Sequence, residues 1–170
     1  MRRLTLVMAL GLVAVLALSG CSKQPTSTSL GTMNVQMTDA PGDFQHVNLV
    51  VNEVAVQQAA GNGGWEVLSS QPRTVDVLTL RNGVFTTLGI SQLPAGHYNQ
   101  LRLKLGFGSN VVVDNTMHPL RVSSGLQSGF KIAGSFDVPP QGRVDLGLDF
   151  DVARSIQPNG DGSYTLNPVV

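Results

Sequence analysis

Five aspartates in this sequence are placed where their carboxylates could bind a metal ion: Asp39, Asp43, Asp149, Asp151 and Asp161. Asp149 and Asp151 are two residues apart, which on one strand face corresponds to roughly 7 Å. Asp161 belongs to an oxygen-rich, glycine-bearing segment, 159–163, that is typical of part of a calcium loop. Calcium takes about six to eight oxygen ligands, so two of these groups would have to converge. The pattern leaves calcium open as a cofactor, with solvated strand faces and ordinary turns as the alternative.

No residue pattern typical of an enzyme accompanies these aspartates. The sequence has no G-x-S-x-G motif, and Ser123-Ser124-Gly125 lacks the strand–turn–helix setting that would expose a nucleophile. His46, His97 and His118 are far apart and form no H-E-x-x-H zinc pair. Paired carboxylates can hydrolyse glycosides, but a chain with 5% aromatic residues is poorly equipped to line the cleft that this needs. The sequence therefore predicts a protein without catalytic activity.

The single tryptophan, Trp65, follows Gly63-Gly64 at the predicted start of a strand. One interpretation is that its ring closes the hydrophobic core at one end of the fold. The other is an exposed ring that stacks on a ligand, as in carbohydrate-binding proteins, although such surfaces usually use several aromatic residues. Both interpretations remain open from the sequence.

Composition excludes several classes of partner. The 11 basic and 11 acidic residues balance, and no cluster of Lys and Arg marks a surface for nucleic acid or for anionic lipid. Charged residues make up only 13% of the chain and there are 19 glycines, which favours short strands and tight turns over long helices. A single Cys rules out an internal disulfide, so the fold depends on its hydrophobic core.

That cysteine, Cys21, closes an N-terminal segment with the layout of a secretory signal. Arg2 and Arg3 precede an uncharged, mostly apolar run, 4–18, which is shorter than the ~20 residues that span a bilayer. The Leu18-Ser19-Gly20-Cys21 stretch resembles the lipobox of bacterial lipoprotein precursors. The resemblance implies cleavage after residue 20, acylation of Cys21 with palmitate-type chains, and attachment to a membrane through those chains.

The same resemblance divides the chain and predicts its location. Residues 1–20 would be the signal peptide, 21–31 the lipidated Cys and a flexible tether, and 32–170 the folded domain. Processing would remove two arginines and leave 9 basic against 11 acidic residues, a net charge of about −2. Residue 22 is Ser, whereas an Asp at this position would favour retention at an inner membrane. In a cell envelope with two membranes, the outer membrane is therefore the expected location.

From residue 32 onward, apolar and polar residues alternate with the period of a half-buried strand. The clearest segment is 144–152, where Val, Leu, Leu, Phe and Val alternate with Asp, Gly, Asp and Asp. Around Asn52 and Glu53 the alternation changes parity, which predicts a β-bulge. Asn82-Gly83 is the strongest hairpin signal, and only the segment after Asp151 allows a short helical turn. The pattern predicts an all-β fold, an antiparallel β-sandwich, with an immunoglobulin-like Greek key among the possible arrangements.

Several segments together resemble one family. They are Met37-Thr38-Asp39-Ala40-Pro41-Gly42-Asp43, Leu93-Pro94-Ala95-Gly96-His97-Tyr98, the segment 123–131, and Leu148-Asp149-Phe150-Asp151. Their order is similar to that in bacterial lipoproteins carrying the domain of unknown function 4382, over nearly all of residues 32–170. The resemblance implies an exported, often lipidated all-β domain and brings no catalytic or binding residues. A more distant likeness, to transthyretin-like and carboxypeptidase-regulatory-like sandwiches, implies a structural or adhesive module.

These observations lead to two hypotheses of function. The first is a lipid-anchored protein of the cell envelope with a non-catalytic binding or structural role, whose protein or glycan partner the sequence does not identify. The second is a calcium-stabilised adhesion or glycan-binding module, which requires the aspartates named above to meet around one ion. Neither hypothesis involves nucleic acid.

Overall fold

A computed structural model describes residues 29–40, 43–61, 63–122 and 128–170. The predicted signal peptide, Cys21 and most of the predicted tether lie outside these residues. The first strand begins at Leu30, two residues before the predicted start of the domain at 32. No helix among the described residues is long and apolar enough to cross a membrane.

Strands dominate the described residues, so the all-β fold predicted by the alternation is confirmed. In chain order the strands are β1 (Leu30–Ala40), β2 (His46–Gln58), β3 (Glu66–Ser69), β4 (Arg73–Asp76), β5 (Thr86–Pro94), β6 (Gly96–Leu105), β7 (Asn110–Val113), β8 (Thr116–Val122), β9 (Phe130–Val138), β10 (Arg143–Asp151), β11 (Ile156–Pro158) and β12 (Tyr164–Leu166). A short 3-10 helix, Val77–Leu80, lies between β4 and β5, and a one-turn α-helix, α1 (Val152–Ser155), lies between β10 and β11.

The strands form two sheets around a shared hydrophobic core. The small sheet has the order β10-β1-β5, and the large sheet runs β11-β12-β8-β7-β2-β6-β9, with β3 and β4 also paired to β2. Most neighbours are antiparallel, as predicted, whereas β1 pairs with β10, and β8 with β12, in parallel. β1 is the central strand of the small sheet and is paired over most of its length on both sides.

Alternation along β1 and β10 shows how the sequence builds the core. Met33, Val35 and Met37 of β1 are fully buried, and Leu148 and Phe150 of β10 are also buried. Full burial of one such side chain stabilises a fold by about 1.5–3 kcal/mol. Because a shift of one residue would turn all of these side chains toward water, the inward positions fix the register of the two strands.

The predicted bulge in β2 is confirmed, since the register of β2 against β6 shifts between Val51 and Glu53. Leu49 and Val51 are buried before the shift, and Val54 and Val56 are buried after it. The extra residue therefore lets both halves of a 13-residue strand keep their apolar side chains on the core.

Asn82-Gly83 forms a turn, but the predicted hairpin is wrong. Both residues have positive φ, 60° and 78°, and the N–H of Val84 donates to the carbonyl of Arg81 over 3.3 Å. The element before this turn is the 3-10 helix Val77–Leu80 rather than a strand. A tight helical turn can bury these apolar residues as well as a strand can. The spacing of the apolar residues and the Asn-Gly turn therefore do not distinguish a 3-10 helix from a strand.

The short helical turn predicted after Asp151 is confirmed by α1. The Asp151 carboxylate accepts a hydrogen bond from the backbone N–H of Arg154 over 2.9 Å. This contact satisfies one of the N–H groups that the first helical turn leaves free, and it explains why the helix begins where it does.

Candidate functional site: the cation face

Three neighbouring strands of the large sheet carry a group of charged side chains on their outward surface. In β6, Arg102 and Lys104 alternate with buried leucines, so their side chains point away from the core. The register places Lys104 opposite Glu53 of β2, and Arg102 opposite Lys131 of β9. We call the group formed by Trp65, Arg102, Lys104 and Lys131, with Glu53, the cation face.

Glu53 binds two of the cations. Its Oε1 accepts a hydrogen bond from Arg102 Nη2 over 2.7 Å, and its Oε2 accepts one from Lys104 Nζ over 2.9 Å. The side chains of Glu53 and Arg102 are only 17% and 14% exposed. Burial alone would raise the pKa of Glu53, but the hydrogen bonds from Lys104 and Arg102 and their charges outweigh it and hold that pKa below its ordinary value.

Trp65 lies against the cations of this face. The guanidinium carbon of Arg102 is 4.3 Å from the centre of the indole ring, and Lys131 Nζ is 5.8 Å from it. Both distances fall within the range of a cation–π interaction, about 6 Å. The half-buried indole therefore contacts charged groups on the outward side of the sheet, which neither interpretation from the sequence had anticipated.

Positive charge exceeds negative charge on this face. Arg102 and Lys131 are direct cross-strand partners, an arrangement in which like charges repel. Glu53 pairs with Arg102 and Lys104, whereas Lys131 forms no ion pair within the described ranges. Arg102 Nε is also buried without a hydrogen-bond partner there. The face thus carries three cations and one carboxylate, which pairs with two of them.

Gly129 allows the chain to pass close over the stems of two of these cations. It has φ of +78°, and a Cβ at this position would lie 2.6 Å from Cγ of Arg102 and 3.0 Å from Cγ of Lys104. Glycine accepts this backbone conformation without strain and leaves the space that the two side chains occupy. The start of β9 therefore helps to hold Arg102 and Lys104 in place.

The five aspartates predicted as metal ligands are distributed over several sites. Asp39 faces the core at the end of β1, opposite buried Phe150 in the register, whereas Asp149 is exposed on the other face of β10. Asp151 caps α1. Asp43 is exposed in the loop before β2, and Asp161 pairs with Arg121 over 2.9 Å beside β8. Within the described part of the chain, no three His, Cys, Asp or Glu side chains lie close enough to hold a metal ion. Calcium binding stays a prediction.

Asp39 is unusual among them because its carboxylate is withdrawn from water. The residue is 6% exposed, and neither carboxylate oxygen has a hydrogen-bond partner among the described residues. Burial raises the pKa of Asp39 to about 6; the nearby Val152 N–H and the charge of Arg81 oppose the rise, and Asp149 and Asp151 add to it.

His97 forms a contact that resembles a catalytic triad in outline. Its Nδ1 lies 2.9 Å from Asp137 Oδ1, and Ser135 Oγ lies 3.5 Å from its Nε2. Catalytic triads use a buried carboxylate to orient the imidazole. The Asp137 side chain is 79% exposed, so the ion pair is screened by water and contributes little. We therefore assign no nucleophile to Ser135, and His97 is a solvated surface residue, as expected from the sequence.

Cys21, the predicted lipidation site, lies outside the described residues. Its acylation stays a prediction.

Comparisons with known proteins give one family and one distant structural likeness. A family described as domain of unknown function (DUF4382) matches residues 30–168. A leucine-rich repeat protein from Bacteroides thetaiotaomicron is similar in structure with a TM-score of 0.36 and 14% sequence identity. That match covers 75% of this chain and 14% of the other, so this chain spans only a small part of the other protein's length. At this TM-score the likeness carries no argument. No functionally curated protein matches the sequence.

Proposed function

The chain belongs to the DUF4382 family, whose model matches residues 30–168, and from that premise we propose that it is a lipid-anchored binding module of the bacterial cell envelope. In this proposal Cys21 carries the lipid, the two-sheet domain supplies a stable support, and the cation face contacts the ligand. The role is non-catalytic.

One observation carries the binding role, namely the arrangement of Trp65 with Arg102 and Lys131 on an outward sheet surface. Outward positions of a sheet need no aromatic residue for folding, because the opposite face supplies the core. Tryptophan and arginine are the residue types most enriched at binding hot spots. Arg102 and Lys131 lie on neighbouring hydrogen-bonded strands, and Trp65 directly precedes β3, so the contact groups are held in a fixed geometry, as a binding surface requires.

The membrane anchor is supported by the lipobox-like stretch that ends at Cys21. A Cys21→Ala variant should accumulate as uncleaved or soluble protein, which fractionation of cells into membrane and soluble material would measure. Ser22→Ala is the matched control, since it changes the neighbouring residue and keeps the acylated sulfur. Unchanged membrane association of Cys21→Ala would refute the anchor.

The binding role is tested by screening the full chain, purified in detergent, on an array of glycans. We expect the wild-type chain to bind a subset of the glycans, and the Trp65→Leu variant to bind none of that subset. Trp65→Leu keeps a large apolar side chain and removes the aromatic surface, so its thermal unfolding should change little. Equal retention of both chains, or retention of neither on any glycan, would refute the cation face as the ligand-contact surface.

A second candidate function is a calcium-stabilised adhesion module. The observation in its favour is the Asp39 carboxylate, which is buried with no hydrogen-bond partner in the described part of the chain and lies on the strand next to Asp149 and Asp151. A ligand present at about 100 times its dissociation constant adds about 2.7 kcal/mol to the free energy of unfolding. Thermal unfolding of the full chain with calcium and with chelator would measure this. Coincident unfolding curves would eliminate this candidate.

A further inference from the structure

We propose that the ligand of the cation face is an acidic polysaccharide, a chain of sugar rings that carry carboxylates. This inference rests on the function proposed above and adds the chemical class of the ligand. A ring carboxylate would pair with the exposed Lys131, and the apolar side of a sugar ring would lie against the Trp65 indole.

The arrangement of charges on the cation face favours an anionic ligand. Arg102 and Lys131 stand directly opposite each other on neighbouring strands, where like charges disfavour pairing of the strands. Glu53 compensates Arg102 and Lys104 but not Lys131, which is exposed and forms no ion pair with any described residue. A carboxylate bound beside Lys131 would remove this repulsion, so the ligand supplies the charge that the sheet lacks.

The small number of cations indicates a sparsely charged ligand. Arg102 and Lys104 converge on the single carboxylate of Glu53, and Lys131 lies on the adjacent strand. Three cations with one carboxylate form a weaker patch than the roughly four to eight Lys or Arg residues of a segment that binds anionic lipid. Proteins that bind duplex nucleic acid commonly make about 6–10 phosphate contacts. A carboxylated polysaccharide, with one charge per ring at most, fits the smaller number.

The aromatic ring selects a sugar over a small inorganic anion. An indole offers a rigid apolar surface with a polar edge, suited to a partner that is apolar on one side and hydrated on the other. The C–H face of a pyranose ring has this character, whereas phosphate and sulfate do not. Because the cations lie next to the indole, one sugar residue can contact both.

The single tryptophan makes binding directly measurable, since all indole fluorescence of the chain comes from Trp65. Full chain in detergent is titrated with polygalacturonate, with neutral dextran, with inorganic phosphate and with anionic phosphatidylglycerol vesicles. We expect a saturable change of emission with polygalacturonate only. The affinity should fall as salt is added, because mobile ions screen exposed charges over about 8–10 Å.

Two variants at Lys131 test whether binding depends on the positive charge at this position. Lys131→Gln should weaken polygalacturonate binding about tenfold, because a hydrogen bond to a charged group is lost, and Lys131→Arg should retain it. Arg154→Gln is the matched control, since Arg154 is 73% exposed and lies on α1, outside the cation face. Its affinity should equal that of the wild type.

Each of three outcomes would overturn the inference. They are equal binding of dextran and polygalacturonate, an emission change with phosphate or vesicles but not with the polysaccharide, and full affinity in Lys131→Gln. Binding of a neutral glycan that depends on Trp65 would refute the acidic ligand and leave the proposed binding function standing. Loss of every glycan contact would refute both.

Discussion

Glu53 of β2 and Asp39 of β1 are both carboxylates withdrawn from water, and their pKa values move in opposite directions. Glu53 accepts hydrogen bonds from Arg102 and Lys104, and its pKa is lowered. Asp39 has no hydrogen-bond partner among the described residues, and its pKa is raised to about 6. The comparison teaches that hydrogen-bond and charge partners can outweigh burial in deciding whether an enclosed carboxylate remains charged.

The two carboxylates also belong to sheets with different outward surfaces. On the small sheet, Asp145 accepts hydrogen bonds from Arg143 and from Asn34, and these contacts lower its pKa to about 2. Arg143 and Asp145 thus neutralise each other on that surface. On the large sheet, Lys131 is left without a carboxylate within the described residues. The imbalance lies at the surface for which we propose a ligand.

Asp39→Asn should produce the largest change in stability. Because its folded pKa lies above the ordinary value of 3.8, the stability that the protonated Asp39 contributes is fully present below pH 3.8 and is lost as the pH rises through about 6. An amide imitates the protonated carboxyl at every pH. We therefore expect the variant to be more stable than the wild type at pH 8, by on the order of 2 kcal/mol, and nearly equal to it at pH 4.

Chemical denaturation at the two pH values measures this difference. Asp149→Asn is the matched control, because Asp149 is exposed on the neighbouring strand; its effect should stay within about 0.5 kcal/mol. A gain for Asp39→Asn that is the same at pH 4 and pH 8 would contradict the raised pKa.

Glu53→Gln should have an intermediate effect of the opposite sign. The change removes the carboxylate that, among the described residues, pairs with Arg102 and Lys104, and it lowers the free energy of unfolding at pH 7 by about 1 kcal/mol. Since the folded pKa of Glu53 is lowered, its contribution is present above the unfolded value and is lost as the pH falls. The difference should therefore vanish in acid.

Denaturation curves of Glu53→Gln and of Glu66→Gln, an exposed control on β3, would be compared at pH 7 and pH 3. If Glu53→Gln were as stable as the wild type at pH 7, the ion pairs of the cation face would contribute no net stability. The contrast between Glu53 and Asp39 would then disappear.

Lys131→Gln should give the smallest change, a gain of a few tenths of a kcal/mol, because it removes a like charge opposite Arg102. The 5.8 Å separation of Lys131 Nζ from the indole lies near the limit of a cation–π contact, so little attraction is lost. Thermal unfolding at low and high salt measures the change, and the gain should shrink in salt. A loss of stability would mean that the contact with Trp65 outweighs the repulsion.

Local patterns in the sequence were enough to predict the all-β fold and several of its longer strands. Alternation in β1 and β10 identified the inward residues, the change of parity located the bulge at Glu53, and Asp151 marked the short helix. These features depend on residues within a few positions of each other, where period and capping act. The 3-10 helix Val77–Leu80 was missed because its apolar residues fit either element.

The cation face could not be predicted in the same way. Arg102 and Lys104 showed the spacing of an outward strand face, but their partner Glu53 is 49 and 51 positions away. Trp65, which directly precedes β3, meets Arg102 and Lys131 through the pairing of β3 with β2, of β2 with β6 and of β6 with β9. That order is set by long-range core contacts, on which a single sequence carries no local signal. The two parallel strand pairs escaped prediction for the same reason.

The position of β1 determines how the domain would respond to mechanical force at its N-terminal side. β1 is the central strand of the small sheet, and Gly31 lies so close to Pro139 that a side chain there would clash with the carbonyl. A pull on residue 29 along the axis of β1 would load the hydrogen bonds to β5 and to β10 simultaneously. This follows because both neighbouring strands run alongside β1 in the direction of the force. Breaking them together takes more force than opening one bond at a time. If the domain is tethered at this end and a polymer bound to it transmits a force, the small sheet would thus resist shear.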